Sequence, residues 1–237
     1  MSLIRTIIKK PLNALGVDLV RYHPQYSIGQ YAYIASLNIQ TVIDVGAHTG
    51  EFARMIADML RDATILSFEP QRREFKELEQ NLRAVQKSRA FQFALGDRSE
   101  TLELRRSDYS QSSSLRKMTD LHKEAFPESA GESLEQVEVR RLDEVLAESD
   151  LQPEVLLKID AQGYEDKVLA GAPRTLARSK AAIIEVSFRE LYEGQPLFDS
   201  IYRTMHDASF SYMGNLYQLV HPLDRSVLQA DALFVKL

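Results

Sequence analysis

Two short stretches carry the residues best spaced for chemistry: "VIDVGAHTGEF", residues 42–52, and "FEP", residues 68–70. Gly46 and Gly50 form a DxGxxxG pattern between a β-branched run and an amphipathic stretch. Gly46 permits a tight turn and close approach of a ligand, and Gly50 lets the chain enter a helix beside the strand. His48 stands where the dinucleotide fingerprint G-x-G-x-x-G needs its second glycine, which weakens a pyrophosphate cradle. Glu69 follows Asp44 by 25 residues, at the end of the next strand-like run. An acid there can accept hydrogen bonds from both hydroxyls of a ribose. The plain alternatives are a purely structural turn and an acid that caps the helix starting at Pro70.

The elements that must position these residues alternate along the chain. Strand-like runs occur at "TVIDV", "TILSFE", "AFQFAL", "EVLLKID", "AAIIEVSF" and "ALFVKL". Helical patterns fall at "FARMIADMLRD", "RREFKELEQNLRAVQ", "LDEVLAES", "YEDKVLAGAPRTLA" and "LFDSIYRTMHDA", and "YSIGQYAYIASLN" predicts a helix leading into the first strand. Near-continuous Val, Ile and Leu runs suit strands covered on both faces, so the fold class expected is α/β with a mostly parallel, doubly wound sheet. The rhythm breaks between Asp97 and Arg141, where "TLELRRS" and "EQVEVRRL" read as neighbouring strands joined through a long loop that begins with the Ser-rich "SDYSQSSSLRK".

Composition narrows the classes. The 237 residues suffice for one large α/β domain, and the absence of cysteine removes disulfides, thiolate zinc sites and cysteine nucleophiles. A cytoplasmic location fits that absence. A net charge of −5 argues against broad nucleic-acid binding. Residues 119–150 hold ten acids against three bases, read as a solvated face or a mobile segment. No apolar run reaches the length of a membrane span. The N-terminal segment 1–38 is expected to be helical, with short helices at Leu3–Lys10 and Leu12–Leu15. It would pack on the main domain, 39–237, or on a second subunit in a homodimer; peripheral membrane contact through its basic face is the alternative.

"VIDVGAHTGEF", "FEP", "FALGD", "LLKIDAQGYEDKVLAGA", "IIEVSF" and the terminal "DALFVKL" together resemble the FkbM-type methyltransferases, from about Thr41 to Leu237. The resemblance implies the class I Rossmann-like fold: a seven-stranded, mostly parallel sheet with an antiparallel C-terminal strand, plus the N-terminal helices. It also implies S-adenosyl-L-methionine as cofactor and a hydroxyl acceptor on a sugar, glycan or polyketide-type natural product. One position departs from the pattern: Gln162 stands where the family motif KIDxEG has glutamate.

Carried over residue by residue, the resemblance sets the methionine part against Asp44, Gly46, Ala47, His48 and Gly50, and the ribose on Glu69. The adenine wall would be Pro70 and the stretch Ala94 to Asp97, with Leu95 as apolar contact and Asp97 on the exocyclic amine; Asp97 is otherwise a turn residue in "GDRS". Methyl transfer from a sulfonium needs alignment, and a hydroxyl acceptor gains from a positioned base. Asp160 is the first candidate for that base, Glu185 the second and His48 the third. Otherwise Asp160 caps the next helix and Glu185 pairs with Lys158 or an arginine.

Acceptor contacts are expected from Ser112 and Ser113 in the long loop, from Lys158, and from Tyr164 as a stacking ring, unless the loop is a flexible linker. No histidine pair shows metal-ligand spacing, so no metal ligand is assigned, with a carboxylate-bound Mg²⁺ at Asp160 left open. An NAD-dependent oxidoreductase and a non-catalytic binding protein are the competing readings. Nucleic-acid methylation lacks a basic stripe and an NPPY-like motif.

Overall fold

The computed structural model of the chain describes residues 28–147 and 150–237, so the helices expected at Leu3–Lys10 and Leu12–Leu15 lie outside the described residues. Ten strands are seen. In chain order they are β1 (Thr41–Val45), β2 (Thr64–Phe68), β3 (Ser88–Phe91), β4 (Ala94–Leu95), β5 (Glu100–Ser107), β6 (Glu132–Arg140), β7 (Val155–Ile159), β8 (Ser179–Ser187), β9 (Ser211–Val220) and β10 (Val227–Val235). Seven form the main sheet in the order β3-β2-β1-β7-β8-β10-β9, and β4, β6 and β5 form a small second sheet. β10 alone runs against its neighbours in the main sheet. This is the mostly parallel, doubly wound class I methyltransferase architecture expected of the sequence.

The chain lays β2 and β3 on one side of β1 and returns through β7 on the other. That reversal opens a crevice at the carboxyl ends of β1 and β7, where open α/β sheets place ligands. Side-chain alternation gives the sheet two apolar faces. Ile43, Leu66, Leu157 and Ile184 enter one core, while Val42, Ile65, Leu156, Ile183 and Leu233 enter the other with Phe52 and Ile56 of the helix Glu51–Met59. Tyr31 and Ile34, from the helix Ile28–Ala35, join this second core, as their helical spacing predicts.

On that second face each row turns from apolar to polar toward the carboxyl edge. Val42 gives way to Asp44, Leu156 to Lys158 and Asp160, Ile183 to Glu185, and Leu233, running the other way, to Asp231. The apolar part fixes the register, because a one-residue slip would drive every charge into the core. The packing that holds the sheet therefore also aligns the charges.

Three local expectations are corrected. "AFQFAL" is two strands in different sheets, β3 and β4, with Phe93 packing between them against Phe68 and Phe91. "YEDKVLAGAPRTLA" is two helices, Glu165–Ala170 and Pro173–Arg178, because Pro173 lacks the amide a continuous helix needs. The helix in "LDEVLAES" stops at Val145. β5 and β6 are neighbours as expected, and they pair antiparallel; β9 is an edge strand with no counterpart among the expected runs.

Candidate active site

A cavity of about 350 Å³ occupies the crevice. Its floor is the turn after β1. Gly46, at φ +75, and Ala47 both donate backbone N–H bonds of 3.0 Å to the Phe68 carbonyl. A Cβ on Gly46 would lie 1.8 Å from the Asp160 carbonyl oxygen, so glycine is required here by the backbone of the neighbouring strand end. Gly46→Ala is expected to destabilise the fold by about 2–4 kcal/mol in urea titrations, through overpacking and a left-handed residue with a side chain.

Glu69 is the buried acid of this floor, 3% exposed. Its Oε2 accepts from the His48 amide at 2.9 Å and its Oε1 from the Gln71 amide at 2.8 Å. An ionised carboxylate offers about four lone-pair sites, so roughly two stay available to the cavity that Glu69 lines. Burial pushes Glu69 up to about 7, against the pull of the Gln71 and His48 amides. The helix begins at Arg72 rather than at Pro70, and the buried Glu69 bonds the amide of Gln71, the residue before its first turn.

Pro70, Phe93, Ala94 and Leu95 continue the wall as an apolar slot. Asp97 lies outside it: its carboxylate accepts from Lys167 at 3.0 Å and is held below the usual carboxylate range by that bond. Asp44 and Gly50 also lie behind the wall. Gly50, at φ +87, faces Leu78, and Asp44 is fully buried with Lys158 Nζ 3.6 Å away. Burial raises the Asp44 pKa, against the attraction of Lys158.

The catalytic candidates meet at the ends of β7 and β8. Asp160 Oδ2 accepts from Lys158 at 3.3 Å, and Oδ1 from Gln162 Nε2 at 2.7 Å. The same amide reaches Glu185 at 3.0 and 3.2 Å, and Gln229 Nε2 reaches Glu185 at 3.0 Å. Glu185 is thus held by two amides. Burial, then the charges of Asp160, Glu165 and Asp231, push its pKa well up. The helix-opening role weighed for Asp160 falls to Glu165, whose Oε1 accepts from the Ala161 and Gly163 amides at 3.0 Å each.

The roof is the serine loop. Ser110 Oγ lies 2.7 Å from His48 Nε2, Ser113 Oγ accepts from the Ser107 amide at 3.1 Å, and Ser114 Oγ donates to the Gln162 carbonyl at 2.6 Å. The loop is therefore tied to the glycine turn after β1 and to the β7 end rather than behaving as a linker. His48 engages Ser110 through its ring, and burial lowers its pKa. Ser112, Ser113, Lys158 and Tyr164 all reach the cavity wall. Among the described residues, no group of three or more His, Asp or Glu is arranged to hold a metal ion.

The family model described as the methyltransferase FkbM domain matches residues 44–212. The chain belongs to the FkbM methyltransferase family. It is 29% identical over 161 residues to the 2-O-methyltransferase NoeI of Sinorhizobium fredii, a match spanning 65% of this chain and 66% of NoeI. The FkbM methyltransferase structure from Methylobacillus flagellatus superposes with a TM-score of 0.52 at 14% identity, over 92% of this chain and 45% of that one. An rRNA methylase from Streptococcus thermophilus gives 0.50 at 11% identity, over 92% and 99%. The chain thus spans less than two thirds of NoeI and under half of the Methylobacillus protein, and at these identities the two structures speak for the fold.

The departure from the FkbM motif at Gln162 now has a physical setting. Its amide nitrogen bridges two carboxylates and its Oε1 accepts from Tyr192 at 2.7 Å, with backbone φ +49. A glutamate would remove the donor and add a third negative group. Gln162→Glu is expected to cost about 2 kcal/mol at pH 8 and less at pH 6. The sign follows from the raised pKa of an acid in such a cluster: stability is retained at low pH and lost as pH rises. Thermal melts at the two pH values check it.

Several wall residues escaped the sequence reading. Tyr217, Leu219, Gln229 and Asp231 come from the terminal hairpin, and His122 and Phe126 from the insertion before β6. His122 is 4% exposed, edge-on to Tyr192 at 5.0 Å and lowered to about 4 by burial. Asp231 opens the terminal "DALFVKL" stretch, and no local motif marks the others.

Proposed function

We propose that the protein is an S-adenosyl-L-methionine-dependent O-methyltransferase acting on a hydroxyl of a sugar, glycan or polyketide-type natural product. The observation that carries this reading is the continuity of one cavity from the glycine turn and Glu69 to the Asp160 and Glu185 carboxylates. The residues present fit the cofactor. Glu69 keeps acceptor capacity for two ribose hydroxyls, the Phe93–Leu95 wall suits a flat apolar ring, and Gly46 and Ala47 leave the turn open toward the methionine end.

When bound, the cofactor supplies an electrophilic methyl on a sulfonium. The chain has to align an acceptor oxygen and take its proton. Asp160, 30% exposed at its side chain and facing the cavity, is the proposed base. Lys158 and Gln162 fix one oxygen each of that carboxylate, so it is aimed before substrate arrives. Glu185, behind the Gln162 amide, positions Gln162 rather than meeting the acceptor. His48 supports the site mainly through its backbone amide on Glu69. The serine loop excludes water above.

NoeI bears the name of a 2-O-methyltransferase, and this supports oxygen as the atom methylated. A screen with methyl-labelled S-adenosylmethionine against sugars, lipid-linked glycans and polyketide alcohols tests the reading. Label in a base-stable ether on a hydroxylated acceptor is expected; label transferred only to nitrogen or to nucleic acid would contradict it.

A further inference from the structure

The cavity wall formed by the terminal hairpin is not used by the cofactor residues or the proposed base. Asp231 and Tyr217 are cross-strand partners on β10 and β9, and Gln229 and Leu219 are the next such pair on the same face. All four line the cavity. The carboxylate of Asp231 is half-buried and takes no hydrogen bond among the described residues, unlike Asp160, Glu185 and Glu69. Burial, and then the Asp231 charge, push the Tyr217 phenol up. Tyr109, half-exposed, lines the same cavity from the serine loop.

From this geometry we infer that Asp231 and Tyr217 form the acceptor subsite, and that it takes a saturated ring bearing a vicinal diol. The inference rests on the methyltransferase reading above and specifies its substrate end. An ionised carboxylate only accepts, and its two oxygens suit two hydroxyls on adjacent carbons. A tyrosine face beside it covers the C–H side of such a ring while its phenol stays polar. The chain thereby uses one device twice: Glu69 for the ribose diol and Asp231 for the acceptor diol. Asp231 is register-paired with Glu185 on β8, one strand spacing of about 4.8 Å away, and β7 with Asp160 is the next strand. A ring held at Asp231 therefore points a further hydroxyl toward the proposed base.

Saturation-transfer NMR on the full chain loaded with S-adenosylhomocysteine tests this. The probes are methyl glycosides of glucose, galactose, mannose and rhamnose, with trans-1,2-cyclohexanediol, cyclohexanol and cyclohexylamine as comparisons. At least one glycoside is expected to bind more tightly than cyclohexanol and cyclohexylamine. Asp231→Asn and Tyr217→Ala should each weaken it about tenfold or more, while Tyr217→Phe costs less than Tyr217→Ala and S-adenosylhomocysteine affinity stays within twofold in all three. Glycoside binding unchanged in Asp231→Asn and Tyr217→Ala, or cyclohexanol or cyclohexylamine binding as well as every glycoside, overturns the subsite while leaving the cofactor reading intact. Failure of the wild-type chain to bind S-adenosylhomocysteine overturns both.

Discussion

Asp160→Asn is expected to lower kcat by about 10²–10⁴-fold and to leave S-adenosylhomocysteine affinity nearly unchanged. The asparagine keeps the shape and can still accept from Gln162 at the position of Oδ1, but it cannot take a proton from an acceptor hydroxyl. It also abolishes the charge that Lys158 faces at 3.3 Å. Lys158 keeps Asp44 at 3.6 Å, so the loss of one partner does not leave the buried ammonium alone. Glu185→Gln is expected to cost far less, about tenfold, because Glu185 is tied to the amides of Gln162 and Gln229 and acts on the acceptor only through them. Single-turnover kinetics with an identified acceptor separate the two. Equal losses in both variants would make Glu185 a partner in proton transfer, and wild-type turnover in both would remove the carboxylates from the mechanism.

Glu69→Gln has the second largest expected effect, on binding. Hydrogen bonds to a charged group contribute about 1.5–3 kcal/mol each, and the amide offers one acceptor oxygen where the carboxylate offers two, so affinity for S-adenosylhomocysteine should fall by about 10²-fold or more. The wild-type chain should show a matching pH dependence. The ribose hydroxyls donate to the ionised form, whose pKa in the folded protein is raised to about 7, so affinity should fall as pH drops below about 7. Stability moves the other way. The folded-state pKa lies above the ordinary value of 4.5, so the contribution of Glu69 to folding is fully present below about 4.5 and is lost as pH rises through about 7. At pH 8 the ligand-free chain carries a penalty on the order of 3 kcal/mol there, which Glu69→Gln offsets only in part, because the His48 or the Gln71 amide then loses its acceptor. Calorimetric titration and thermal melts of the ligand-free protein at pH 5.5 and 8 check both signs.

The proposed cofactor half of the site was readable because its residues are close in sequence and their types are dictated locally. Gly46 must be glycine because the Asp160 backbone lies against it, and Glu69 must end β2 to reach the crevice. Apolar runs at β1, β7 and β8 announced strands buried on both faces, and the sheet follows from them. The acceptor half was not readable in the same way. Asp231 and Tyr217 face the cavity only because β9 and β10 pair in one register, and β9, broken by Gly214 and Asn215, has no apolar run to mark it. The resemblance set Asp97 on the adenine amine; in the structure its carboxylate accepts from Lys167, 70 residues on, at 3.0 Å. Likewise nothing local shows that Gln162 bridges two carboxylates and a tyrosine, since its partners lie up to 30 residues away. Motifs record what neighbours in sequence do, and these partnerships are made by packing.

One cavity is proposed to hold the cofactor ribose on Glu69 and its reactive end beside Asp160. A crystal structure of the chain with S-adenosylhomocysteine tests it most directly. Both ribose hydroxyls are expected within hydrogen-bonding distance of the Glu69 carboxylate, with the sulfur facing the Asp160 side of the cavity. A ribose bound away from Glu69, or a sulfur turned away from Asp160, would contradict the account.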